Sequence, residues 1–231
     1  MGLLYDWSAE IVRSIYDNRI EGPPTLDLGV WFPDSIRFRD SWRVIRDEAL
    51  VLAKNLASVP RFHDFMPEQR EISDNDHRDW RLFILKAYGI DIPRNMEACP
   101  VLAALATAIP DVLSASVSFL APGKHIPEHR GPFRGVLRFY MGLSVPTDVD
   151  GRPATILTID GVNHRIGDGE CLLWDDTYPH EVRNDSDGIR AALLLDVRRH
   201  GMPLDLEVLS RTLIAAAGLG IRLRGVGAPS G

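Results

Sequence analysis

A chain of 231 residues, 45% hydrophobic and 25% charged, can build a sizeable core as one large domain or at most two. Its net charge of -6 argues against a nucleic-acid partner, and two cysteines, Cys99 and Cys171, are too few for a disulfide framework. No apolar run reaches the length of a membrane span, the first residues lack a signal-peptide pattern, and Asp6 interrupts a myristoylation signal, so a cytoplasmic protein is expected.

In chain order, the first hundred residues read as mostly helical. Trp42, Ile45, Ala49, Leu52, Ala53 and Leu56 draw one apolar stripe on a helix of several turns. Residues 60 to 97 are polar and rich in Asp, Arg and Pro, and are expected to be irregular. A short helix is expected over "PVLAALATAIP", closed by Pro110. From about residue 112 the texture changes to short runs between Gly, Pro, Asn and Asp: "SASVSFL", "GVLRFYMGLSV", "ATILTIDG", "VNHRIG", "ECLLWDD", "HEVRND" and "RAALLLDVRR". That spacing predicts a β-sandwich or barrel. A last amphipathic helix, "DLEVLSRTLIAAAG", precedes a Gly- and Arg-rich tail expected to fray after Gly220. The expected layout is a single domain: residues 1–110 as helical support, 111–200 as a barrel core, 201–231 as helix and tail.

Histidines at two strand starts suggest a metal site. Pro127 lies between His125 and His129 and forbids a helical His-x-x-x-His pair, so the segment is extended. His180 opens a strand after Pro179, 51 residues beyond His129 with four candidate strands between, and strands that far apart can be neighbours in a small barrel. His125 reads as a supporting residue, and His63, His77, His164 and His200 as ordinary surface or core residues. Asp175, Asp176 and Glu181 read as strand-end acids, each still able to supply a third ligand. Arg138 and Arg190 interrupt apolar strands, as do Ser114, Ser116 and Ser118. An arginine there is costly unless it meets an anion, either a ligand carboxylate or a buried acid such as Asp175 or Asp196. Arg130 and Arg134 read as coating a solvated loop beside the entrance.

The stretches "SFLAPGKHIPEHRGPFRGVLRFYMGLSVP" and "CLLWDDTYPHEVRNDSDGIRAALLLDV" resemble the aspartyl/asparaginyl β-hydroxylase family of iron(II)- and 2-oxoglutarate-dependent oxygenases, which includes lipid A hydroxylases. The resemblance covers about Ser118 to Val197. It implies a double-stranded β-helix, a jelly roll, flanked by helices. It implies iron(II) held by His129 and His180, with Gly131 where a carboxylate ligand would stand in related oxygenases. It implies that Arg190, helped by Ser118, clamps the distal carboxylate of 2-oxoglutarate, and that Arg138 handles a carboxylate of cosubstrate or substrate. Tyr140 stands near the cosubstrate where the family usually has histidine, and Val136 where peptidyl-aspartate hydroxylases carry an arginine. The implied reaction consumes dioxygen and 2-oxoglutarate, hydroxylates an unactivated C–H bond and gives succinate and carbon dioxide. The substrate could be an aspartyl, asparaginyl or other amino-acid group, a biosynthetic intermediate, or an acyl chain. Rival readings are a cupin-like metalloenzyme that does not use 2-oxoglutarate and a non-catalytic binding module.

Overall fold

The computed structural model describes residues 2–223. Helices run over Gly2–Asp17 (α1), Leu28–Trp31 (α2), Ser35–Asp40 (α3), Trp42–Ala53 (α4), Phe62–Phe65 (α5), Arg70–Ser73 (α6), Pro93–Ala98 (α7), Pro100–Ala108 (α8) and Leu204–Leu223 (α9). Strands are Thr25–Leu26 (β1), Trp80–Ala87 (β2), Ile90–Asp91 (β3), Val112–Leu120 (β4), His125–His129 (β5), Val136–Ser144 (β6), Thr155–Ile159 (β7), Val162–His164 (β8), Cys171–Trp174 (β9), His180–Asn184 (β10) and Arg190–Arg198 (β11). They form a seven-stranded sheet, β1-β9-β6-β11-β4-β2-β3, and a four-stranded sheet, β5-β10-β7-β8. Every pairing between named strands is antiparallel. Two such sheets face to face make the expected jelly roll.

Side-chain alternation assigns the two faces of the large sheet. Val117 and Phe119 of β4, Leu137, Phe139 and Met141 of β6, and Leu193 and Leu195 of β11 point outward. There they meet Phe38, Ile45, Ala49, Leu102 and Ala106 from α3, α4 and α8 in the main core. The Glu48 carboxylate ties α4 to α8 by accepting from the backbone N–H groups of Val101 (2.7 Å) and Leu102 (3.2 Å), free donors at the start of α8. Tyr140, Ala192 and Leu194 point the other way, into the roll, where they meet Leu157, Ile159 and Val182 of the small sheet.

Residues 60 to 97 are more ordered than their composition suggests. Residues 80–87 form β2, paired with β4. The loop before it is stitched to β5 by fully buried Lys124, whose ammonium donates to Ser73 O (2.8 Å), Asn75 Oδ1 (2.7 Å) and Asp76 Oδ1 (2.5 Å). The last helix runs on through Gly220 to Leu223, and the expected frayed tail from residue 224 lies outside the described residues.

Candidate metal and dicarboxylate site

His129 and His180 are direct partners across β5 and β10. Side chains opposite each other in an antiparallel pair project to the same face about 5 Å apart. The two rings accordingly sit with centroids 4.2 Å apart, inside the roll. His129 Nδ1 bonds the Pro127 carbonyl at 2.8 Å, and His180 Nδ1 bonds the Tyr178 carbonyl at 2.9 Å. A carbonyl only accepts, so both rings carry the proton on Nδ1 and leave Nε2 with a lone pair. Burial holds both imidazoles neutral: the His129 pKa is lowered, and that of His180 is pushed down to about 3, with His129 and then Arg138 adding to the burial effect. Two neutral imidazoles with fixed tautomers and ring centroids 4.2 Å apart suit a divalent metal. Among the described residues no group of three or more His, Cys, Asp or Glu has metal-binding spacing, so these two are the candidate pair.

The cavity beside them holds about 560 Å³, part of it open to solvent. Among its lining are the six residues to which the family resemblance gave metal or cosubstrate roles: Ser118, His129, Arg138, Tyr140, His180 and Arg190. The two arginines differ sharply. Arg138 is already paired, its Nε 2.8 Å from Asp196 and its Nη2 3.3 Å from Asp176. Arg190 is 2% exposed, and among the described residues no acid pairs with it. Its Nη1 reaches Ser118 O at 3.4 Å and Ser118 Oγ at 3.3 Å, its guanidinium faces the Tyr140 ring at 5.7 Å, and its Nε has no partner. Ser118 Oγ also accepts from Trp80 Nε1 at 3.1 Å, which fixes the serine in place.

Gly131 packs against an acid from elsewhere in the chain. Its N–H donates to Asp176 O at 2.6 Å, and a Cβ at position 131 would fall 2.2 Å from Asp176 Oδ1. The Asp176 carboxyl therefore fills the space that a side chain at 131 would need. Asp176 is deeply buried, and burial pushes its pKa up to about 7 against the lowering pull of the Arg138 guanidinium, with Asp196 and Asp175 adding to the rise. The folded chain then keeps a proton that the unfolded chain releases between about pH 4 and 7, so this group's contribution to stability is lost as pH rises through that window. Asp176→Asn, which cannot ionise, is expected to gain stability relative to wild type as pH rises from about 4 to 7 in denaturant unfolding. A constant difference across that range contradicts the assignment. Gly131→Ala must expel the carboxylate and break its contact with Arg138. It is expected to cost about 1–3 kcal/mol by the measure of overpacked cores, read as a fall in melting temperature of roughly 2–4 °C per kcal/mol; an unchanged melting temperature would show that the carboxylate moves freely.

The other candidate acids lie apart from the cavity. Glu181 bonds His125 Nε2 at 2.8 Å, which leaves both as a half-exposed supporting pair. Asp175 is held by Arg199 at 2.6 Å and by the Thr177 hydroxyl at 2.6 Å. Arg134 does not coat a solvated loop. It is buried and joins Asp17 of α1 (3.0 Å) to Asp175 (3.4 Å). Arg130 remains partly exposed and donates to the Thr177 carbonyl. His63 bonds Ser73 Oγ and His200 bonds Asp111, both outside the cavity. His164, expected to be ordinary, lines the cavity instead, and only the β7–β8 pairing reveals this.

A family model described as aspartyl/asparaginyl beta-hydroxylase matches residues 39–200. The chain belongs to the aspartyl/asparaginyl β-hydroxylase family. The match begins well before Ser118 and takes in α4 and α8, which pack on the roll. An ornithine lipid ester-linked acyl 2-hydroxylase from Rhizobium tropici is 32% identical over 178 residues, 77% of this chain and 61% of the relative. Human aspartyl/asparaginyl beta-hydroxylase is 27% identical over 201 residues, 80% of this chain and 24% of the relative. The chain thus spans less than two thirds of these family members. A Pseudomonas putida prolyl-4-hydroxylase structure aligns with a TM-score of 0.46 and 21% identity, over 70% of this chain and 87% of that one. No helix among the described residues is long and apolar enough to cross a membrane.

Proposed function

We propose that this family member is an iron(II)- and 2-oxoglutarate-dependent hydroxylase acting on an unactivated C–H bond of an acyl chain, with succinate and carbon dioxide as coproducts. The observation that carries the reading is Arg190: an enclosed guanidinium without an acid partner, in the same cavity as two neutral imidazoles. A buried cation calls for an anion. A metal at one end and a cation at the other match a molecule with a chelating keto-acid head and a distal carboxylate.

Iron(II), when bound, supplies the oxygen activation that side chains cannot perform. His129 and His180 would hold it through Nε2. Arg190 and Ser118 orient the distal carboxylate. Arg138, its charge already shared by Asp176 and Asp196, serves as a fixed wall that holds Asp176 beside Gly131. Ile126, Leu157, Val182 and Leu194 line the cavity with apolar surface and limit water.

Two observations favour an acyl substrate over an aspartyl side chain. Phe62 stacks on Trp80 at 3.9 Å beside the cavity, with Met66, Ile72 and Leu82 packed in the same apolar cluster. Val136 packs with Tyr16, Phe133 and Leu206 and offers no cation to a substrate acid. The relative named as a lipid acyl hydroxylase agrees with this choice. The test supplies iron(II), 2-oxoglutarate and dioxygen to the protein with panels of acyl lipids and of peptides, and reads succinate and oxygen-bearing products by mass spectrometry. Succinate coupled to a hydroxylated acyl chain is expected. Hydroxylated peptides alone would overturn the substrate class, and turnover independent of 2-oxoglutarate would favour the cupin-like alternative.

A further inference from the structure

The β7–β8 hairpin carries two polar atoms into the cavity that no group among the described residues satisfies. Thr155 Oγ1 and His164 Nε2 are buried without a hydrogen-bond partner, as is Arg190 Nε. All three residues line the same cavity. The hairpin turns at Asp160 (φ 48°) and Gly161 (φ 76°), the double positive φ of a tight two-residue connection. That turn sets the register in which His164 opposes Leu157, an inward residue, and so shares its face with Leu157 and Thr155.

Register also places these residues along the roll. Ile159 opposes His180, whereas Thr155 lies four residues away, about 13 Å along the strand. Thr155 opposes Asn184, whose Nδ2 donates to Leu120 O at 3.1 Å, and Leu120 opposes Arg190. Thr155 and Arg190 therefore sit at the same end of the roll, away from the imidazole pair, one on each sheet. Burial lowers the His164 pKa and keeps the ring neutral, so Nε2 can carry a hydrogen and donate. A carboxylate offers two oxygens and about four lone-pair sites, more than Arg190 and Ser118 occupy.

Resting on the cosubstrate reading above, we propose that Thr155 and His164 form a second wall of the distal-carboxylate subsite, facing Arg190 and Ser118, and set the preference for a keto-diacid over a keto-monoacid. They are positioning residues rather than catalytic ones.

The test is anaerobic calorimetric titration of the iron(II)-loaded full chain with 2-oxoglutarate and with 2-oxobutanoate, which lacks the distal carboxylate. His164→Phe and Thr155→Val are each expected to weaken 2-oxoglutarate about tenfold, the loss of one hydrogen bond to a charged group. His164→Gln, which restores a donor, is expected to recover most of that loss. Binding of 2-oxobutanoate is expected to stay nearly unchanged in all three. Unchanged 2-oxoglutarate affinity in His164→Phe and Thr155→Val, with Arg190→Ala still weakened, overturns the second wall alone. Equal losses for both keto acids also overturn it, since they report general damage. If Arg190→Ala leaves 2-oxoglutarate binding intact, the cosubstrate reading fails and the second wall with it.

Discussion

Replacing Arg190 by methionine is expected to stabilise the metal-free chain while weakening 2-oxoglutarate binding by about thirtyfold or more. The opposite signs follow from one geometry. In the chain alone the guanidinium is enclosed, faces the Tyr140 ring and finds only serine oxygens at 3.3 and 3.4 Å. Burial lowers its pKa, which marks the charged form as disfavoured where it stands. Methionine fills a similar volume without a charge to desolvate, and such exchanges at buried ionic sites gain about 1–4 kcal/mol. Removing one partner of a desolvated charge pair, by contrast, costs about 2–5 kcal/mol in binding, roughly thirtyfold to several-thousandfold. Thermal denaturation and cosubstrate titration on one preparation read both effects. A lower melting temperature with unaltered 2-oxoglutarate affinity contradicts the assignment.

His180→Ala is expected to abolish iron retention and 2-oxoglutarate turnover together. With two imidazoles as the candidate pair, losing one removes half of the protein's hold on the ion. Even losing a group that merely orients a ligand costs about 10–100-fold in metal affinity, so losing the ligand costs at least that. Metal analysis after gel filtration and succinate formation are the two readouts. Iron retained at wild-type stoichiometry with normal succinate production would refute the metal role of His180, and His129→Ala gives the independent repeat.

Much of this arrangement was legible before any coordinates. Proline on the approach to each histidine forces extended backbone, and strand parity exposes Ser118, Arg138 and Arg190 as polar intrusions in an apolar sheet. The β2 strand was not legible. "WRLFILKA" is apolar on both faces, because Phe83 and Leu85 pack outward under the helices while Trp80, Leu82 and Ile84 pack inward. Burial on both sides erases the period-two signal. The contact of Asp176 with Gly131 was equally hidden: it joins residues 45 positions apart, and only the empty Cβ position of a glycine admits it. Arg138 and Arg190 look alike on their strands, yet among the described residues three-dimensional pairing gives two acids to the first and none to the second. His164 carries no local signal either, since its inward orientation depends on the register set by the Asp160–Gly161 turn.

A crystal structure with manganese(II) standing in for iron and with 2-oxoglutarate, phased to locate the metal by anomalous scattering, would test the arrangement most directly. The expected result is one metal ion held by His129 and His180, with the distal carboxylate on Arg190. Metal bound elsewhere, or the carboxylate resting on Arg138 while Arg190 stays unengaged, would contradict it.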